Sequence, residues 1–127
     1  MTDPARALSQ VLGRGSAHGG AHHWRVQRLT ALALLLLCPW FVVSLALLPQ
    51  LDFTTVRAWA GSLWHAVLLS LLVISLCWHS QLGVQVVIED YVRGFTRGVG
   101  LVLSGFVHVL LAAIALLAIV RLTLGAP

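Results

Sequence analysis

Charge is scarce in this chain. Asp3, Asp52, Glu89 and Asp90 are its only acidic residues, all eight basic residues are arginine, and charged residues form 9% of the sequence against 59% hydrophobic. A soluble domain of this length needs a solvated, charged surface, so that class is excluded. Apolar and polar residues do not alternate at period two, which excludes a transmembrane β-barrel. Only two cysteines occur, Cys38 and Cys77, both inside apolar runs. They read as small apolar groups rather than a disulfide, and two thiols are too few for an iron–sulfur cluster. No internal repeat is visible, so a solenoid is excluded as well.

What the chain does have is three long apolar stretches. A hydrocarbon core roughly 30 Å thick takes about 20 helical residues, and the segments at about 29–48, 63–88 and 99–124 each reach that length. The expected fold is therefore all-α: an integral membrane subunit built as a three-transmembrane-helix bundle. Residues 1–24 read as a polar arm, without the apolar core of about 7–15 residues that a cleavable signal peptide carries; residues 25–127 read as the membrane anchor domain. Arg14, Arg25 and Arg28 precede the first span and Arg93 and Arg97 lie in the second connection, against Arg57 and Arg121 on the other side. The positive-inside rule then predicts a cytoplasmic amino terminus and a periplasmic carboxyl terminus. The pI of about 10.6 follows from arginines at membrane boundaries facing anionic headgroups, with no need of a nucleic-acid partner.

Local signals refine this outline. Pro39 is expected to kink the first helix and Pro49 to close it. The run DFTTVRAWAG (52–61) reads as a short interfacial helix capped by Asp52 and broken at Gly61. Trp24 and Tyr91 would mark one membrane interface, Trp59 and Trp64 the other. The second connection, at about 89–98, is short, which makes helices two and three antiparallel neighbours. The tract GRGSAHGGAHHW (13–24) is rich in histidine, but its spacing matches no defined metal site and it reads as a polar arm.

Ionisable residues inside spans are costly and mark functional positions. His79 is the deepest, eleven residues before Asp90, or about 16 Å along a helix. Ser75, His79, Gly83 and Asp90 fall near one stripe. A neutral imidazole among small residues suits an axial haem ligand, with Gly83 leaving room for the flat macrocycle. A histidine hydrogen-bonded to a neighbouring helix explains the same pattern equally well. His108 lies eleven residues beyond Arg97 and would reach a similar depth, within the small stripe Gly100–Ser104–His108–Ala112; the chain itself could supply both ligands of one haem. His65, fourteen residues before His79, sits beside Trp64 and Gly61 near the outer interface and has a weaker claim.

At this point a resemblance enters. The segment His79-Ser-Gln-Leu-Gly83-Val-Gln-Val-Val-Ile-Glu-Asp90-Tyr91 resembles the H-x3-G-x6-D-Y segment of the small hydrophobic membrane-anchor subunits of succinate dehydrogenase, respiratory complex II. The stretch from Gly15 through His18, His22, His23 and Trp24 into Gln27-Arg28-Leu29-Thr30 is similar to the amino-terminal segment of the proteobacterial members. Together the matching segments run from about residue 13 to residue 97, in the right order around three helices.

The resemblance implies a division of labour. A flavoprotein and an iron–sulfur subunit oxidise succinate, while two anchor subunits in the bacterial cytoplasmic membrane share haem b and reduce ubiquinone. By that pattern His79 is one axial ligand of the haem iron, the second comes from the partner cytochrome b anchor, and His108 becomes a packing histidine. Gly83 and Arg28 are then cofactor-binding positions, Arg28 toward a haem propionate. Tyr91 would donate a hydrogen bond to a quinone carbonyl, with Asp90 beside it orienting donors or passing protons. The chain would be part of an enzyme without carrying catalytic residues of its own. A fumarate reductase anchor and a self-contained bis-histidine b-type cytochrome are the alternatives.

Overall fold

The computed structural model describes residues 17–125, all helical apart from short connections. Four helices follow in order: α1 (Ala17–Ala46), α2 (Phe53–Gly61), α3 (Leu63–Tyr91) and α4 (Phe95–Thr123). Three of them, over Gly20–Ala46, Leu63–Tyr91 and Phe95–Thr123, are long and apolar enough to cross a membrane. With no water in the hydrocarbon, a helix is the one open-chain form that pairs its own backbone groups there. Residues 1–16, most of the expected polar arm, lie outside the described residues. The rest of that arm is helical from Ala17 onward, so α1 begins well before the apolar run does.

Composition explains where the helices stop. α1 runs through Pro39, and its last turn tightens as the Leu48 N–H bonds to the Leu45 carbonyl at 3.2 Å ahead of Pro49. Asp52 caps α2: its carboxylate accepts the Thr55 N–H at 2.9 Å and the Thr55 hydroxyl at 2.8 Å, and the Thr54 hydroxyl also donates to it. These bonds, the Thr54 hydroxyl foremost, lower its pKa to about 2, and the carboxylate stays charged against the helix dipole. Ser62, extended at φ −69° and ψ 138°, separates α2 from α3. The turn from α3 to α4 takes three residues, Val92 to Gly94, shorter than the connection expected at about 89–98. Gly94 makes it possible by adopting φ +68°, a left-handed region open to residues without a Cβ.

The spans lie in a row rather than a closed triangle. α3 packs against α1 on one side and α4 on the other, α2 packs on α3 and α4, and the backbones of α1 and α4 do not meet. Gly100, Ser104, His108 and Ala112 form the half-buried stripe of α4, flanked by exposed Val102, Leu103, Val107 and Leu111. This is the seam with α3, where Gly100 approaches the Ile88 side chain. Buried apolar residues are few, Ala60, Ala66, Leu82 and Ile119, and no described side chain is fully buried. Most of the apolar surface is therefore turned toward lipid or another membrane protein.

Side chains join the helices at both ends. Near the α3–α4 turn, Glu89 accepts a hydrogen bond from the Gln85 amide at 3.0 Å and lies 4.0 Å from the Arg97 guanidinium, so it links α3 to α4 instead of standing as an isolated solvated charge. At the opposite end Trp59 is half-buried, 6.3 Å from Trp40 and 5.0 Å from His65 between ring centroids. It serves as a packing residue there, whereas Trp64 is exposed as an interfacial tryptophan would be. Gly61 sits so close to α4 that a Cβ on it would come within 2.8 Å of the Leu122 carbonyl oxygen. Gly61→Ala is expected to cost about 1–3 kcal/mol by overpacking this contact. Gly105→Ala, where nothing lies within 4 Å of the added methyl, is the matched control. Thermal unfolding in detergent that lowers both variants equally would contradict the close approach.

Candidate functional site

The most deeply placed polar contact joins α1 to α3. Thr30 is 8% exposed and is the one buried polar residue among those described; its Oγ1 lies 3.1 Å from His79 Nδ1. The same hydroxyl reaches back along α1 to the Val26 carbonyl at 2.9 Å and the Gln27 carbonyl at 3.1 Å. His79 is half-buried, and its Nε2 makes no hydrogen bond among the described residues. One helical turn beyond, Gly83 has nothing within 4 Å of where a Cβ would stand.

That opening belongs to a groove of about 710 Å³ between α1 and α3, lined by His23, Trp24, Gln27, Gly83, Gln85 and Glu89 among others. His23 Nε2 and Gln27 Oε1 are buried without a hydrogen-bond partner. A buried polar atom with no partner is uncommon and points to a group that is missing from the isolated chain. An imidazole nitrogen with no hydrogen bond among the described residues and a bare glycine one turn away leave room for the edge of a flat macrocycle. Of the residues expected to face a haem, His79 and Gly83 fit it. A multi-ligand metal site is a different matter: no group of three histidine, cysteine, aspartate or glutamate side chains forms among the described residues.

His108 is engaged differently. Its Nδ1 lies 2.8 Å from the Ser104 carbonyl, which can only accept, so Nδ1 carries the proton. Nε2, 3.1 Å from Ser80 Oγ, then accepts the serine proton across the α3–α4 seam. Both nitrogens are occupied. His65 is bonded through Nδ1 to Ser62 and stacked at 6.0 Å on Trp40, and its Nε2 makes no hydrogen bond among the described residues.

The remaining expected residues are not gathered around His79. Arg28 is exposed, with its guanidinium 4.9 Å from the centre of the Trp24 ring. Two residues after Val26 and four after Trp24, it lies about 200° around α1 from Thr30 and beside Trp24 at the edge of the groove. Asp90 and Tyr91 end α3; both are exposed, Tyr91 at 83%. The uninterrupted α3 keeps Asp90 on the His79 side, about 16 Å along the axis. Among the described residues no wall encloses the pair. Thr30 and the unpaired Gln27 were not singled out as site residues from sequence. The available signal was a lone hydroxyl in an apolar run, at helical spacing three and seven from Gln27 and His23.

Comparison with known proteins finds relatives of this chain. The sequence model of the family described as succinate dehydrogenase/fumarate reductase transmembrane subunit matches residues 2–120. A succinate dehydrogenase hydrophobic membrane anchor subunit from Paracoccus denitrificans is 34% identical over 115 residues, covering 90% of this chain and 88% of that one. Its counterpart in Rickettsia bellii is 34% identical over 93 residues, covering 72% and 74%. No solved structure matches. The contact between Ser80 and His108 carries a prediction for the α3–α4 seam. A double-mutant cycle of Ser80→Ala and His108→Ala in mixed micelles should give a coupling of about 0.6 kcal/mol; strictly additive losses would contradict a direct bond.

Proposed function

The chain belongs to the succinate dehydrogenase/fumarate reductase transmembrane-subunit family, and from that premise we propose that it anchors a succinate:ubiquinone oxidoreductase in the bacterial cytoplasmic membrane, lends one axial ligand to a shared haem b and forms one wall of the quinone-reduction site. The observation that carries this reading is His79: an imidazole half a membrane from the charged end of α3, held at Nδ1 and unpaired at Nε2. In such a complex the haem supplies a one-electron redox centre within the bilayer.

This chain's residues would divide the remaining work by depth. His79 offers a nitrogen lone pair from the middle of α3, and Gly83 keeps the adjacent surface clear. Gln27 and His23 present unpaired polar atoms in the groove. Arg28, exposed with its guanidinium over the Trp24 ring at the edge of the groove, would be the partner of a propionate there. The Tyr91 hydroxyl can donate to a quinone carbonyl, with Asp90 alongside for proton delivery. Because both are exposed, the other walls of a quinone pocket must come from the second anchor and the iron–sulfur subunit. Their charged end also carries Arg25, Arg28, Arg93 and Arg97, which supports a cytoplasmic amino terminus and docking of the iron–sulfur and flavoprotein subunits there.

A self-contained bis-histidine cytochrome fits less well, because His108 has no nitrogen left for iron. The names of the relatives favour succinate oxidation over fumarate reduction. His79→Ala is expected to remove the low-spin haem signal from the purified complex, and an unaltered spectrum would rule out the ligand role. Tyr91→Phe should reduce quinone turnover by about 10²-fold or more, with succinate oxidation by an artificial acceptor retained. Equal loss of both activities would speak against the quinone role.

A further inference from the structure

We propose that Thr30 is a positioning residue for His79, holding the imidazole in the tautomer that keeps its proton on Nδ1 and its lone pair on Nε2. The inference rests on the reading of His79 as an iron ligand and extends it to the group behind that ligand.

The number of available protons decides the tautomer. The Thr30 hydroxyl has one hydrogen and faces three acceptor positions: the carbonyls of Val26 and Gln27 at 2.9 and 3.1 Å, and His79 Nδ1 at 3.1 Å. In one arrangement the hydroxyl donates along α1 to a carbonyl and its oxygen accepts Nδ1–H. That makes two hydrogen bonds and leaves Nε2 as a bare acceptor. In the other the hydroxyl donates to Nδ1, the ring proton moves to Nε2, and Nε2–H has no acceptor among the described residues. The second makes one bond and orphans a donor, the costlier kind of unpaired group in an apolar setting. The first arrangement therefore prevails, and it leaves Nε2 ready to coordinate.

The placement of Thr30 supports the same role. It is the buried polar residue of the fold, it reaches His79 from a different helix, and its β-branched side chain has few rotamers in which to do so. A hydrogen bond to the far nitrogen of a ligating histidine fixes ring orientation and raises the electron-donating power of the ligand. A more donating ligand favours ferric iron, so losing the bond should raise the haem potential.

The test uses the intact complex, purified in mild detergent, with Thr30→Val, Thr30→Ser and His79→Ala variants. Haem-to-protein ratio, the electron paramagnetic resonance g values of the oxidised haem and its midpoint potential are measured. Thr30→Val keeps the shape but not the hydroxyl; it should weaken haem retention about 10- to 100-fold, shift the g values and move the potential upward. Thr30→Ser should restore all three. Loss of haem in His79→Ala with wild-type values in Thr30→Val would overturn the positioning role alone. Equal defects in Thr30→Val and Thr30→Ser would reduce Thr30 to packing and also overturn it. An unchanged low-spin haem in His79→Ala would overturn the ligand reading and the inference together.

Discussion

In hydrocarbon an unpaired donor has no water to turn to, so this chain's few polar side chains must find partners within the helices or across them. The backbone solves its part by staying helical over nearly all the described residues. Hydroxyls solve theirs locally: Ser44, Ser70 and Thr123 donate to carbonyls three or four residues back in their own helix. Imidazoles cannot do so at both nitrogens, and the three on α3 and α4 are each met by a hydroxyl. Ser62 serves His65, Ser80 serves His108, and Thr30 serves His79. The difference among the three is what each nitrogen has left. His108 is bonded at both, while His79 and His65 keep Nε2, and of these two only His79 lies near the middle of α3.

The row of spans follows from the same scarcity of interior. With α3 between α1 and α4 and no contact between the outer two backbones, the chain closes no core of its own. Its helices hold together along seams where backbones or small residues approach, Gly61 against Leu122 and Gly100 against Ile88. Such a layer exposes apolar faces on both sides, which suits a subunit that completes its interior with another membrane protein. The groove beside Gly83, with its unpaired His23 and Gln27 atoms, is where such completion is most needed.

The charged end depends on the turn between α3 and α4. Gly94, at positive φ, brings the end of α3 and the start of α4 together, and Glu89 then bridges to Arg97. That pairing uses one acidic side chain for structure and leaves Asp90 and Tyr91 at the surface. In the proposed reading a quinone site built on them is shared, since the described residues offer one wall to it.

Much of this was legible in the amino-acid order. Three spans, the cap at Asp52, the break at Gly61, the small stripe of α4 and the depth of His79 relative to Asp90 all follow from composition and helical periodicity. A rise of about 1.5 Å and a rotation of about 100° per residue are local properties, so depth and face can be read along any single helix. What tertiary structure alone decided is which groups meet between helices. Thr30 reaching His79, His108 closing on Ser80, Glu89 turning to Arg97 and Trp59 packing inward all depend on the offset and rotation of one helix against another. That register is set by where two backbones can approach, and no periodicity within one helix contains it.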